Sequence, residues 1–354
     1  MVVIVLITAL IALAFSFTNG MNDAANCIAS VVATKALPPK VAVFWAAFWI
    51  FMAMFIFDTT VAATMGEGIV DKGCIDVYVI LAALLGSVLY IFLCTKLGLP
   101  VSASHALVGG LIGPVWFVYG GQYLVTSGIF KIVAFIFISP LIGIVLGFTL
   151  NCIIMLLFHK VHVKKVDKTF RRLQLVSSAA FSLGFGGNDG QKTMGVIAIL
   201  FASAYASNPD NAVMQFLYGN GAMASDAAFY VPMWLKFTCY GLIALGTVTG
   251  GWSVIRTLSE GLSKLFPTQG FCAEASGAIT LIMTAVLGIP VSTTHTITGS
   301  IIGTGLTRGV KSVKWVTAKN IVWAWVLTIP AVIVVSGVIY LIMVNWLGCP
   351  VKTL

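Results

Sequence analysis

Long apolar runs dominate the chain, and they are of two kinds. Six are continuous, at 41–64, 77–95, 129–158, 227–249, 271–288 and 317–347. A helix needs about 20 mostly apolar residues to cross a bilayer, so each predicts a membrane segment. Four others, 3–34, 97–119, 173–206 and 289–306, are interrupted by polar or Gly/Pro clusters and predict broken helices. Residues 252–265 read as an amphipathic helix lying on a surface. The first run, Met1 to Phe17, has no Lys or Arg in front of it. A signal peptide normally carries such charges. The polar cluster after the run also recurs later, so it is expected to be the first membrane segment.

Composition narrows the class. Of 354 residues, 59% are hydrophobic and 9% charged, against about 25% charged in soluble domains. A soluble enzyme, a nucleic-acid-binding domain and a disordered regulator are excluded. The net charge of +9 then reflects basic cytoplasmic loops rather than a nucleic-acid partner. The seven cysteines form no C-x-x-C and mostly sit in apolar runs. They read as small buried hydrophobes, with no disulfide framework, transition-metal site or cofactor expected.

The longest basic segment, 159–172, holds Lys160, Lys164, Lys165, Lys168, Arg171 and Arg172 against Asp167, which places it in the cytoplasm. With one net crossing per run, both termini lie outside. Lys35, Lys40, Arg256, Lys264, Arg308, Lys311, Lys314 and Lys319 then fall inside, and Glu67, Asp71, Lys72 and Asp76 outside.

Two sequence motifs are duplicated. F-S-F-T-N-G-M-N-D-A-A-N begins at Phe15 and F-S-L-G-F-G-G-N-D-G-Q-K at Phe181. L-G-L-P-V-S-A-S-H-A-L-V-G-G-L-I-G begins at Leu97 and L-G-I-P-V-S-T-T-H-T-I-T-G-S-I-I-G at Leu287, with nine of seventeen positions identical. The same offset of 190 carries Pro140 onto Pro330 and Gly147 onto Gly337. Five crossings per half make the second copy inverted, as in many secondary transporters. The predicted fold is an all-α polytopic membrane protein: a first repeat at 1–158, a basic cytoplasmic linker at 159–172 and a second repeat at 173–354.

The motifs carry the candidate chemistry. Asp23 and Asp189 lie inside membrane runs, where a carboxylate costs roughly 2.5–3.5 kcal/mol on insertion scales. One such Asp could be a helix cap; two at matched positions point to a site. With Asn22, Asn26 and Asn188 they offer hard oxygen ligands for a small cation. Each P-V-S segment predicts a helix N-terminus, which favours an anion, and Ser102, Ser104, Ser292, Thr293 and Thr294 add hydroxyl donors. Gly109, Gly113, Gly299 and Gly303 would equally allow a close helix contact. His105 and His295 follow the hydroxyls; a hydrogen-bonded structural role or proton sensing fits them better than Ser104–His105 or Thr294–His295 nucleophile pairs, because no acid adjoins. Lys192 stands where the first copy has Asn26. It either pairs with Asp189 three residues away, as a tethered cation, or snorkels to the interface.

These motifs resemble those of the inorganic phosphate transporter (PiT) family. G-M-N-D-A-A-N at Gly20–Asn26 is similar to the family's duplicated signature, and G-G-N-D-G-Q-K-T-M-G at Gly186–Gly195 to its second copy. The P-V-S-x-[ST]-H pair, F-D-T-T at Phe57–Thr60 and G-F-C-A-E at Gly270–Glu274 match too. The resemblance implies a phosphate symporter of the plasma membrane, driven by sodium or protons and built from inverted repeats with re-entrant hairpins. It makes Asp58 and Glu274 cation-site candidates. Phosphate-binding candidates are then Asp23, Asn26, Ser102, Ser104, Asp189, Gln191, Ser292, Thr293 and Thr294. Phosphate, the driving cation and membrane lipid are the expected partners, and a homodimer is allowed. A sulfate transporter of the same fold is the alternative. Phosphate keeps an O–H at neutral pH that a carboxylate accepts, whereas sulfate has none. A membrane hydrolase and a channel are the remaining alternatives.

Overall fold

The computed structural model describes residues 2–65, 69–219 and 230–351. Glu67 and the start of the 227–249 run lie outside the described residues. The main helices are α1 (Val2–Ala33), α2 (Pro39–Met52), α3 (Thr60–Met65), α4 (Val77–Leu97), α5 (Ala103–Val118), α6 (Thr126–Phe158), α7 (Val163–Phe185), α8 (Gln191–Ser207), α9 (Met233–Thr249), α10 (Trp252–Gly261), α11 (Pro267–Val286), α12 (Thr293–Leu306) and α13 (Trp315–Asn345). Extended pairing among the described residues is confined to isolated bridges, Val70 with Leu124 and Ser263 with Val313.

Local chemistry sets the boundaries. The Asp76 carboxylate accepts from the Tyr78 and Val79 N–H groups, both at 2.8 Å, and starts α4. Gly98, at φ 73°, ends it in the left-handed conformation glycine tolerates. Pro39 and Pro267 stand in the first turns of α2 and α11, where a missing N–H costs nothing. Shifting the first half by 190 residues lays the starts of α4, α5 and α6 on those of α11, α12 and α13 to within one residue. The duplication seen in the motifs thus extends to whole elements.

Several expectations are corrected. The 3–34 run is not broken: α1 is continuous over 32 residues. It contains no proline, and its polar side chains find partners on other segments without unwinding the backbone. Gly20 serves close approach instead, since a Cβ there would meet the Ile243 carbonyl oxygen at 2.1 Å. Conversely, 41–64 is not one helix. It divides into α2, a 3₁₀ turn at Ala53–Phe55 and α3, with Asp58 exposed between them. The amphipathic segment shortens to α10, which meets α9 at a bend of 71°. Of the basic segment, 159–162 joins two helices and 163–172 forms the first turns of α7.

Four described helices, α1, α4, α6 and α13, are long and apolar enough to cross a membrane, and the bent α9–α10 pair would make a fifth. This is fewer than the ten expected. With 16 and 14 residues, α5 and α12 reach only about 24 and 21 Å at 1.5 Å per residue, short of a hydrocarbon core of about 30 Å. Each instead folds back along its predecessor, α5 on α4 and α12 on α11.

The halves interlock. Helix α5 packs along α13, and α12 along α6. A Cβ on Gly113 would lie 2.3 Å from the Ile333 oxygen, and one on Gly303 2.2 Å from the Ile144 oxygen. The outer faces of α6 and α13 expose Phe137, Val145, Leu156, Val316, Leu327 and Val334. Apolar surface of this extent on helices this long is that of a multi-pass membrane protein.

Candidate functional site

Helix α1 carries a buried polar stripe, Asn19, Asp23, Asn26 and Ser30, at the three- and four-residue spacing that shares one helix face, and buried Thr34 continues it just past the helix end. The P-V-S segments converge on it from both halves. Ser102 and Ser292 are the N-caps of α5 and α12: their hydroxyls accept from the His105 and His295 N–H groups, each at 3.4 Å. The remaining first-turn amides of these two buried helices have no acceptor within their own helix, the arrangement that favours an anion.

Around Asp23 every hydrogen-bond partner is neutral. Asn22 Nδ2 donates to Asp23 Oδ1 at 2.6 Å and to the Val101 carbonyl at 3.0 Å. Thr293 Oγ1 donates to Oδ2 at 3.1 Å. Thr294 Oγ1 lies 3.3 Å from both Asp23 Oδ1 and the Val101 oxygen, and its single proton serves one of them at a time. Asn26 Nδ2 donates to the same Thr294 hydroxyl at 3.0 Å, and Thr95 Oγ1 donates to Asn22 Oδ1 at 3.0 Å. The first-half acid is therefore held by hydroxyls of the second half.

Around Asp189 the arrangement is ionic. A π turn, Gly186–Gly190, links α7 to α8 and carries the acid. Lys192 Nζ donates to Asp189 Oδ1 at 2.6 Å, to Ser104 Oγ at 2.6 Å and to the Val291 carbonyl at 2.7 Å. Its side chain is 2% exposed, so it does not snorkel. Asn19 Nδ2 reaches the other carboxylate oxygen at 3.2 Å.

The two histidines sit beneath the hydroxyls, with ring centroids 4.7 Å apart. Pro140 has no N–H for the carbonyl one turn back, and that carbonyl, on Ile136, lies 3.2 Å from His295 Nδ1. Trp325 stacks on His295 with centroids 3.8 Å apart and donates to the Pro100 oxygen at 3.1 Å. This is a packed, hydrogen-bonded support. Ser104 faces Lys192 rather than His105, whose Nδ1 lacks a partner.

Other sequence candidates lie apart. Gln191 donates to the Gly187 carbonyl at 2.7 Å, while its oxygen accepts from Val61 and Ala62 N–H at 2.9 and 3.3 Å, tying α3 to the π turn. Asn188 donates to the Gly184 and Leu281 carbonyls. Glu274 accepts from Ser30, from Ser177 at 2.7 Å and from Gln174 at 3.3 Å, further along the α1 stripe. Asp58 remains exposed. Asn19, Thr95, Ser30, Gln174 and Ser177 were missed. The 3–4 spacing of polar residues on α1 was the signal for Asn19 and Ser30.

A membrane-embedded pair of acids, hydroxyls from both halves and two buried helix starts define a polytopic transporter of a small anion. The sequence pattern of the phosphate transporter family matches residues 19–336, and the chain belongs to that family. It is 47% identical over 330 residues to a probable low-affinity inorganic phosphate transporter of Rhizobium meliloti, covering 93% of each chain. It is 36% identical to one of Bacillus subtilis, covering 97% of this chain and 98% of the relative. The fold also matches the structure of a sodium-dependent phosphate transporter with a TM-score of 0.84 at 24% identity, covering 96% of this chain and 99% of the other. These relatives are named as transporters, and the hydrolase reading is set aside.

Proposed function

We propose that the chain is a secondary active symporter that imports inorganic phosphate with a cation, sodium or a proton, across the plasma membrane. The observation that carries this reading is the meeting of both duplicated P-V-S segments at the two acids, through Thr293 and Thr294 at Asp23 and through Ser104 at the Asp189–Lys192 pair. The anion lies at the starts of α5 and α12, bound by free amides and by the Ser104, Thr293 and Thr294 hydroxyls, with the caps Ser102 and Ser292 holding the turns. The cation lies at Asp23, among the oxygens of Asn22, Asn26, Thr294 and Val101. Binding of each relieves the charge of the other, so each raises the other's affinity by the same factor. A polar centre shared by two homologous halves suits alternating access. The names of the Rhizobium and Bacillus relatives favour phosphate over sulfate, and that of the structural relative favours sodium.

The experiment is uptake of radiolabelled phosphate into proteoliposomes under imposed sodium or proton gradients, with excess sulfate as competitor. Accumulation above equilibrium, driven by one of the gradients and unaffected by sulfate, is expected. Uptake that never exceeds equilibrium under either gradient overturns the symport reading.

A further inference from the structure

We propose that Lys192 is a resident cation: its ammonium fills, in the second half, the position that a transported cation takes beside Asp23, and thereby lowers by one the number of cations moved with each phosphate. The inference rests on the symport reading above. Three oxygens surround the ammonium at 2.6–2.7 Å, from a carboxylate, a hydroxyl and a backbone carbonyl. An ammonium has three protons, and here each has one acceptor. The same kinds of oxygen bind small hard cations.

The duplication supplies the comparison. Offsets of 166 and 190 carry Asp23, Val101 and Thr294 to or from Asp189, Val291 and Ser104. Thr294 Oγ1 lies 3.3 Å from both Asp23 Oδ1 and the Val101 oxygen. The Asp23 centre therefore brings together the three equivalent oxygens, and the position equivalent to Lys192 is Asn26, whose amide nitrogen lies 3.0 Å from Thr294 Oγ1. An amide rotates to present its oxygen, whereas an ammonium has no lone pair to offer. The first half can thus take up and release a cation. The second carries one covalently attached to α8.

The charges agree. Asp23 and Asp189 contribute two negatives and Lys192 one positive, so one mobile cation completes neutrality before the anion binds. Without Lys192 the pair would need two. A tethered charge attracts the anion on both sides of the membrane, stays behind on release and adds nothing to the driving force.

The test measures the coupling exponent in proteoliposomes at clamped zero potential. An imposed phosphate gradient is balanced by a gradient of the driving cation until net radiolabelled phosphate flux is nil. In the wild type, if Asp23 is the sole mobile site, a tenfold phosphate gradient is balanced by a cation gradient of about 10-fold, whereas Lys192→Asn should need only about 3-fold, because its exponent rises by one. Lys192→Met, which removes the charge without adding a ligand oxygen, should weaken phosphate binding at low cation concentration and leave the exponent unchanged. Asn26→Lys should lower the exponent by one and provides the reading where Lys192→Asn does not assemble. A wild type without cation coupling overturns the symport reading and this inference with it. A coupled wild type whose exponent is unaltered by Lys192→Asn or Asn26→Lys overturns the resident cation alone, as does Lys192→Met with wild-type phosphate affinity.

Discussion

The two acidic centres share a scaffold and differ in what neutralises them. Asp23 rides on an uninterrupted α-helix among amides and hydroxyls. Asp189 rides on a π turn and is paired with an ammonium. The difference begins with glycine. Gly186, Gly187 and Gly190 pack so tightly that added Cβ atoms would meet Ile50, Phe57 and Tyr240 at 2.7 Å; the matching first-half positions are Gly20, Met21 and Ala24. Three glycines let the second acid's segment approach its neighbours and widen by a residue, as π turns do at many functional sites. Duplication therefore preserved the oxygen framework while backbone and charge diverged.

Four experiments separate the centres further. The largest effect is expected from Asp23→Asn, which keeps the shape but removes the charge available to a mobile cation. Gradient-driven accumulation of phosphate in proteoliposomes should fall to background; normal coupled uptake would place the cation elsewhere. Next is stability. Asp189→Asn strands the buried Lys192 ammonium and should cost about 3–5 kcal/mol, read as a lowered midpoint of thermal unfolding in detergent. Asp23→Asn should cost clearly less, and Asp189→Asn combined with Lys192→Asn should recover most of the loss; equal losses at both acids would erase the contrast. Third, Gly303→Ala pushes a methyl into the Ile144 carbonyl, and overpacking of this kind costs about 1–3 kcal/mol. Gly113→Ala should match it if the two interlocks are equivalent. The smallest effect on transport is expected at Gln191. Gln191→Ala leaves the Val61 and Ala62 N–H groups without their acceptor and should cost about 1–3 kcal/mol of stability, with the KM for phosphate unchanged. A raised KM would make Gln191 a ligand after all.

The sequence made the class and the duplicated site legible because its signals are local: apolar runs of membrane length, two N-D motifs and two P-V-S motifs. Lys192 was visible as an asymmetry, although its choice between Asp189 and the interface depended on partners 88 and 99 residues away, Ser104 and Val291. The unbroken α1 was not legible, because the groups that satisfy Asn22 and Asp23 arrive from α4, α12 and the loop before α5. Gln191 looked like a ligand by its place in the motif, and only the position of α3 shows where its amide is spent. The split of 41–64 has a faint trace in F-D-T-T, which apolar length outweighed.

The glycine interlocks bear on how the chain is made. Helix α5 is synthesised early, yet the surface that receives Gly109 and Gly113 belongs to α13, the last long helix. The face that α6 offers to Gly299 and Gly303 must likewise wait for α12. Neither half finds its companion within itself, so docking of the inner hairpins is a late event of biogenesis. Until residues near 333 leave the ribosome, α5 can rest on α4 but not on α13, and its hydroxyl-bearing start reaches its final setting only after that helix has arrived.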